Sequence, residues 1–403
     1  MGECPAYNPF SADVLDDPFA AYADARGQCP VHYFADHEPG FYTAFTHADV
    51  VKIAMKREDW TARYGLSPRF QRGVGFNTDG SEHLKFRKAV VAGLGPRNVD
   101  ALEPAIKAIV DDLLDKMIEH GPGDFHDLFA GPLPLIVIAR LLGLEGDLGR
   151  FKELSDALMA EGMNSTDPRG FNQVLAELDR YWVEQLAPRK AALATVDQPG
   201  PEHLGTLLPD DMMSNLLIVR TAEGEPLTDF EISNTLMNLL LAGNETTISL
   251  LTNLVWRLLE EPTRWAALLE DRTLVETAIE ESLRFDAPVL GMFRTSERDV
   301  ELSGTAIPAK SKIMAAYGAA NRDPQVFADP DEFRLDRAKA ELRAHLAFGR
   351  GPHACPGAAL SRLEARIAIN AILDRLPTLR LDGPSTRIEP FNFWGRRTLP
   401  VAW

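Results

Sequence analysis

The chain has 403 residues and little cysteine, few long apolar runs and nothing that divides it. Three cysteines (Cys4, Cys29 and Cys355) are too few and too scattered for a disulfide framework, which points to a reducing cytoplasm. The apolar run 133–139 stops at Arg140, and 236–241 is interrupted by Asn238. Neither reaches the roughly 20 apolar residues that a bilayer span requires. Residues 1–17 carry Glu3, Asp13, Asp16 and Asp17 and no apolar signal core, so no leader or membrane anchor is expected. No linker, low-complexity tract or internal repeat breaks the sequence. Length alone, at about 150 residues per domain, allows two or three domains, but one domain over 1–403 is the simpler expectation. Positive charge is also in deficit: 42 Lys and Arg against 59 Asp and Glu give a formal net charge of −17. That balance argues against nucleic acid or an anionic membrane surface as partner.

What is present is mostly helical patterning. Residues 31–45 are short, aromatic and Gly/Pro-punctuated, predicting a small β region inside an N-terminal lobe of about 30–60. From 99 to 146 the pattern is helical, with Ile106, Ile109, Val110, Leu113 and Leu114 on one face, and a second helical block covers 148–193. Residues 199–211 read as loop. Thr228 and Glu231 form a capping box that should start a long helix running through Arg257. Further helices are expected over 265–271, 274–285 and 358–373, and strand alternation over 300–314. The fold class is therefore mainly α with small β-sheets.

Cys355 sits in Phe348-Gly349-Arg350-Gly351-Pro352-His353-Ala354-Cys355-Pro356-Gly357, just ahead of the last helix. Glycines let backbone approach a bulky group, and a helix N-terminus favours a thiolate. In isolation such a cysteine is a buried structural residue or a metal ligand. Zinc is poorly supported, because no second cysteine lies at ligand spacing. The filled pattern Phe-Gly-x-Gly-x-His-x-Cys-x-Gly resembles the haem-binding loop of cytochromes P450, and the resemblance extends over nearly the whole chain. It implies the helical prism fold of that family, with a long central helix over haem b and Cys355 as axial thiolate.

Other constellations agree with it. Ala242-Gly243-Asn244-Glu245-Thr246-Thr247 places a glycine, an acid and two hydroxyls inside an apolar helix. A threonine hydroxyl there can bond the carbonyl four residues back and open the helix locally. The resemblance implies Ala242 and Gly243 beside the haem, Glu245 relaying protons, and Thr246 holding dioxygen and its water. His83 and Arg87 share one helix face, and with Arg294 and His353 they match the family's haem-propionate contacts. Phe348, Gly349 and Gly357 complete the cofactor loop, Phe348 shielding the sulfur. Glu281 and Arg284 match Glu-x-x-Arg, with Arg337 as the expected third member of a structural ion pair. Arg350, Arg362 and Arg366, with Lys339 and Arg343 upstream, suggest a basic landing site for an acidic ferredoxin or flavodoxin. Only 358–403 follow the cysteine loop, which is too short for a reductase domain.

Substrate contacts are expected from Phe70, Val74 and Phe76 in the loop 64–77, with Arg69 and Arg72 as anion contacts. Asn238, Ala242, Leu290, Met292 and Phe293, and the aromatic residues Phe391, Phe393 and Trp394, complete the set. Asn238 either bonds a neighbouring helix or meets a polar substrate group. Together these features imply a soluble, bacterial-type, cytoplasmic monooxygenase. It would hydroxylate or O-dealkylate a small aromatic or terpenoid substrate using O2 and a separate electron donor. A haem-thiolate protein that binds ligand or senses gas without turnover is the alternative; Glu245 and Thr246 speak against it.

Overall fold

The computed structural model describes residues 7–144, 146, 148–163, 168–220 and 224–403. Glu3 and Cys4 lie outside them. The centre of the fold is the helix Asp229–Glu260, 32 residues long. Thr228 and Glu231 form the expected capping box: the Glu231 carboxylate accepts the Thr228 N–H at 2.8 Å, and the Thr228 hydroxyl accepts the Glu231 N–H at 3.3 Å. The helix runs one turn beyond Arg257 because Arg257 is held there, bonded to Glu260 and Asp286. Around it pack Pro96–His120, Pro132–Leu142, Gly149–Met163, Pro168–Leu193, Leu274–Phe285 and Ala358–Arg375, sharing one large apolar core. Pro132–Leu142 has the expected ends, proline at its first position and Gly143 left-handed (φ 86°) just past its last.

The β region differs from a lobe made of residues 30–60. Its five-stranded sheet runs in the order Val31–Phe34, Phe41–Ala44, Lys312–Ala315, Met292–Ser296, Trp60–Thr61. Phe41–Ala44 and Lys312–Ala315 are parallel, and the other pairs are antiparallel. Two central strands thus come from far along the chain, which ties the N-terminal segment to the C-terminal half. The 300–314 region splits into the hairpin Val300–Leu302/Thr305–Ile307 and the strand Lys312–Ala315. Among the described residues no helix is long and apolar enough to cross a membrane.

Candidate active site

A cavity of about 500 Å³ opens between the long helix and the cysteine loop. The loop is shaped by backbone that side chains resist. Gly349 and Gly351 have φ of 64° and 73°. A Cβ on Gly351 would also meet the Ala54 carbonyl at 2.8 Å. The Cys355 N–H donates to the Phe348 carbonyl at 2.8 Å, closing the loop and turning the sulfur into the cavity. Burial pushes the Cys355 thiol up, and the N–H groups of Gly357 and Ala358, with Arg87 and Arg362, only partly offset it. A sulfur so placed becomes a thiolate when a metal ion supplies the missing positive charge. Phe348 lies beside it, capped by the Arg362 guanidinium 4.6 Å from the ring centre.

Ala242, Gly243, Glu245 and Thr246 line the same cavity from the long helix. The Thr246 hydroxyl donates to the Ala242 carbonyl at 2.6 Å. Gly243 has a packing reason as well: a Cβ there would come within 3.2 Å of Ile138 on the crossing helix. Glu245 is held above the usual carboxylate range by burial, with His126 and Arg397 pulling the other way.

His83, Arg87, Arg294 and His353 all line the cavity. The rings of His83 and His353 lie 4.2 Å apart, and His353 bonds Asp79 at 3.1 Å. Asp79, although half-buried, is kept well below the carboxylate range by hydrogen bonds from His353, Thr61 and the Ala62 N–H. Burial, helped by the charges of His353 and Arg87, brings His83 down to about 4. Its ring N–H can still donate a hydrogen bond into the cavity. One Arg87 nitrogen is spent on the Ala354 carbonyl at 2.7 Å, which staples the helix Gly80–Gly93 to the cysteine loop.

Behind the cavity, Glu281 accepts from Arg284 Nε and Nη2 at 2.8 and 2.7 Å and from Arg337 Nε at 2.9 Å. The Arg334 N–H adds a fourth bond, at 2.9 Å. The remaining guanidinium nitrogens meet the Asn321, Pro330, Ala328 and Glu332 carbonyls. Two members of the basic cluster have acidic partners within the protein. Arg362 forks onto Glu280 at 2.5 and 2.9 Å, and Arg366 bonds Glu103 at 3.3 Å, so both cations are already engaged. Arg350 stays exposed.

Comparison with known proteins gives one answer. Residues 159–391 match the cytochrome P450 family model. The chain is 37% identical over 82% of its length to cytochrome P450 107B1 of Saccharopolyspora erythraea, covering 76% of that protein. It is 33% identical over 97% of its length to the monooxygenase PikC of Streptomyces venezuelae, covering 92%. The chain belongs to the cytochrome P450 family. Its fold overlays CYP109E1 from Bacillus megaterium, solved with testosterone, at a TM-score of 0.82 and 29% identity, over 96% of this chain and 99% of that one.

As a P450 the chain is a haem-thiolate monooxygenase, taking a small-molecule substrate, O2 and electrons from a redox partner. Haem b suits the residues present. A sulfur faces the cavity floor, basic and imidazole groups line the wall, and small neutral residues face them from the long helix.

The expected substrate residues divide. Phe76, Asn238, Ala242, Met292 and Phe393 line the cavity; Phe70, Val74, Leu290, Phe293 and Trp394 do not. Phe70 is 48% exposed and covers the Lys312 ammonium at 5.1 Å. Leu290, Phe293 and Trp394 pack in a core under the sheet, where the Trp394 N–H bonds Asp286 at 3.0 Å. Phe293 points away because strand residues alternate, and it is Met292 and Arg294 that face the cavity. Sequence reasoning missed Phe171 and Leu241 on the wall, and also Glu364. Glu364 lies two turns into the last helix, where burial pushes it up to about 8.

Proposed function

We propose that Cys355 is the axial ligand, that His83, Arg87, Arg294 and His353 hold the haem propionates, and that the protein hydroxylates or O-dealkylates a small, largely apolar molecule. The observation that carries this is the placement of the Cys355 sulfur across one cavity from Ala242, Glu245 and Thr246. Bound haem supplies the oxidising chemistry by activating O2. The chain's own residues then have separable tasks. Arg87 and Arg294 would neutralise the carboxylates of the cofactor, His83 and His353 would donate hydrogen bonds to them, and Asp79 fixes His353 in orientation. Glu245, whose carboxyl burial holds up toward the neutral form, lines the cavity and can pass a proton into it. Thr246 keeps its hydroxyl on the Ala242 carbonyl, leaving its oxygen lone pairs for a water that completes the transfer.

Phe76, Phe171, Leu241, Val289, Met292 and Phe393 give the distal wall an apolar, partly aromatic surface that suits an aromatic or terpenoid substrate. Asn238 adds direction. Its Nδ2 donates to the Asn234 carbonyl at 2.7 Å and to the Asn234 side-chain oxygen at 3.0 Å. Its own oxygen is then an acceptor on the cavity wall, fitted to a substrate hydroxyl or N–H. Electrons would come from a separate ferredoxin or flavodoxin, and exposed Arg350 is better placed to attract it than the engaged Arg362 and Arg366. Soluble, cytoplasmic operation completes the reading.

The test is spectroscopic. Reduced protein with carbon monoxide should show the thiolate-ligated absorption, lost in Cys355→His. A panel of methoxyarenes, terpenoids and fatty acids should then single out compact neutral molecules that displace haem-bound water. A folded, haem-loaded parent without that absorption overturns the ligand assignment, and tight binding of fatty acids alone overturns the substrate class.

A further inference from the structure

Two carboxamides gather at one corner of the cavity. Asn77 closes the short helical turn Gly75–Asn77, Asn238 lies on the long helix, and both line the cavity. The loop is pressed onto the helix at this point. Gly75 is left-handed (φ 63°), and a Cβ on it would come within 2.9 Å of the Asn234 side-chain oxygen. Asn234 lies one turn before Asn238, and that same oxygen accepts from Asn238 Nδ2. The loop amide and the helix amide are therefore gathered around Asn234. Beside them on the wall are Leu66, Phe76, Phe171 and Leu241, whose side chains form no hydrogen bonds.

The two carboxamides offer different things. Both N–H groups of Asn238 are taken by Asn234, which leaves the Asn238 oxygen as an acceptor. The Asn77 carboxamide has no hydrogen-bond partner among the described residues, so it can both donate and accept. A site that holds polar groups in an apolar wall rejects a ligand that leaves them unpaired. The helix also sets a distance. Ala242 is one turn and Thr246 two turns beyond Asn238, roughly 6 and 12 Å along the axis. Those two residues face the Cys355 sulfur across the cavity. A hydroxyl held at Asn238 therefore keeps its own carbon away from that place and turns the opposite end of the molecule toward it.

We propose that Asn77 and Asn238 anchor a substrate bearing a hydroxyl or N–H group at one end of a compact ring system, and that oxidation falls on the other end. The anchoring hydroxyl donates to the Asn238 oxygen and accepts from Asn77 Nδ2. This names the substrate class within the monooxygenase reading and rests on that reading for the oxidation; the anchor itself requires only binding. Where the far end carries a methoxy group, one O2, two electrons from the redox partner and two protons remove the methyl, leaving a hydroxyl and releasing formaldehyde and water.

Calorimetric binding to the haem-loaded protein tests the anchor without turnover. Three ligands share one skeleton: a methoxynaphthalene, the same compound with a hydroxyl at the far end of its second ring, and the compound in which that hydroxyl is capped as a second methoxy group. The parent should bind the hydroxylated ligand about tenfold more tightly than the other two, the effect of one or two neutral hydrogen bonds. Asn238→Leu should bind all three alike. Asn77→Ala removes a side chain without protein partners, so it keeps the experiment informative if Asn238→Leu folds poorly, and it should at least halve the preference. In turnover the parent should remove the methyl group opposite the hydroxyl, and Asn238→Leu should spread oxidation over both rings. Equal affinities of the parent for the three ligands, or a full preference in both variants, overturn the anchor. A preference lost as expected, in protein that oxidises none of the three, leaves the anchor standing and removes the activity reading instead.

Discussion

Glu281 and Glu364 are both sealed inside, at 0% and 2% exposure, in opposite company. Glu281 sits on the helix Leu274–Phe285 with its carboxylate saturated by Arg284, Arg337 and a backbone N–H. Glu364 sits on Ala358–Arg375 against the haem cavity, where Oε2 has no protein partner and burial alone raises its pKa to about 8. Nearby, the Ser361 and Thr247 hydroxyls bond each other at 3.2 Å and offer it no charge. A carboxyl can be buried as an anion only if cations are buried with it; otherwise it goes in as the neutral acid. The first solution makes a rigid joint behind the haem. The second leaves a titratable proton beside it.

The comparison breaks most sharply at Glu281. Glu281→Gln leaves the Arg284 guanidinium buried without its counter-charge and Arg337 with Glu341 alone, and breaking such a buried pair costs about 3–5 kcal/mol. Chemical unfolding should show that loss, with haem-loaded protein recovered in low yield. Parent-like stability would mean that the backbone carbonyls around the two arginines carry the joint.

Glu245 stands between the two cases, raised by burial yet drawn back in part by the charges of His126 and Arg397. Glu245→Gln keeps the shape and removes the transferable proton, so product formation should fall on the order of 100-fold, as expected for a lost acid–base group. Substrate affinity, read from the spectral titration, should hold. A parent-like rate would show that water alone brings protons past Thr246.

Much of this site was legible because its parts are local. The cysteine loop, His83/Arg87, Glu281/Arg284 and Glu245/Thr246 are each set by spacing on one turn or one helix. The sheet was not, since Phe41–Ala44 pairs with Lys312–Ala315 some 270 residues on and periodicity holds no record of that. Nor was the meeting of positions 126, 245 and 397 around a second hollow on the other side of the long helix. Phe70 and Trp394 were misplaced because irregular loops have no period from which to read side-chain direction. Phe293 was different: the alternation of Met292, Phe293 and Arg294 was there to be used.

Glu364→Gln sharpens the comparison with the smallest expected effect. An acid raised from the unfolded value near 4.5 to about 8 binds its proton more tightly when folded. Its favourable contribution is complete below about pH 4.5, and stability falls as pH rises from there toward 8, with a slope of at most about 1.4 kcal/mol per unit. The amide cannot ionise, so the difference between parent and variant should grow with pH in that window and level off above it. At neutral pH Glu364→Gln should be the more stable protein, by on the order of 1 kcal/mol. Unfolding midpoints at a series of pH values check this. Parallel curves would mean that Glu364 has a charged or hydrogen-bonded partner in the haem-loaded protein, which would make it a second Glu281 and not its opposite.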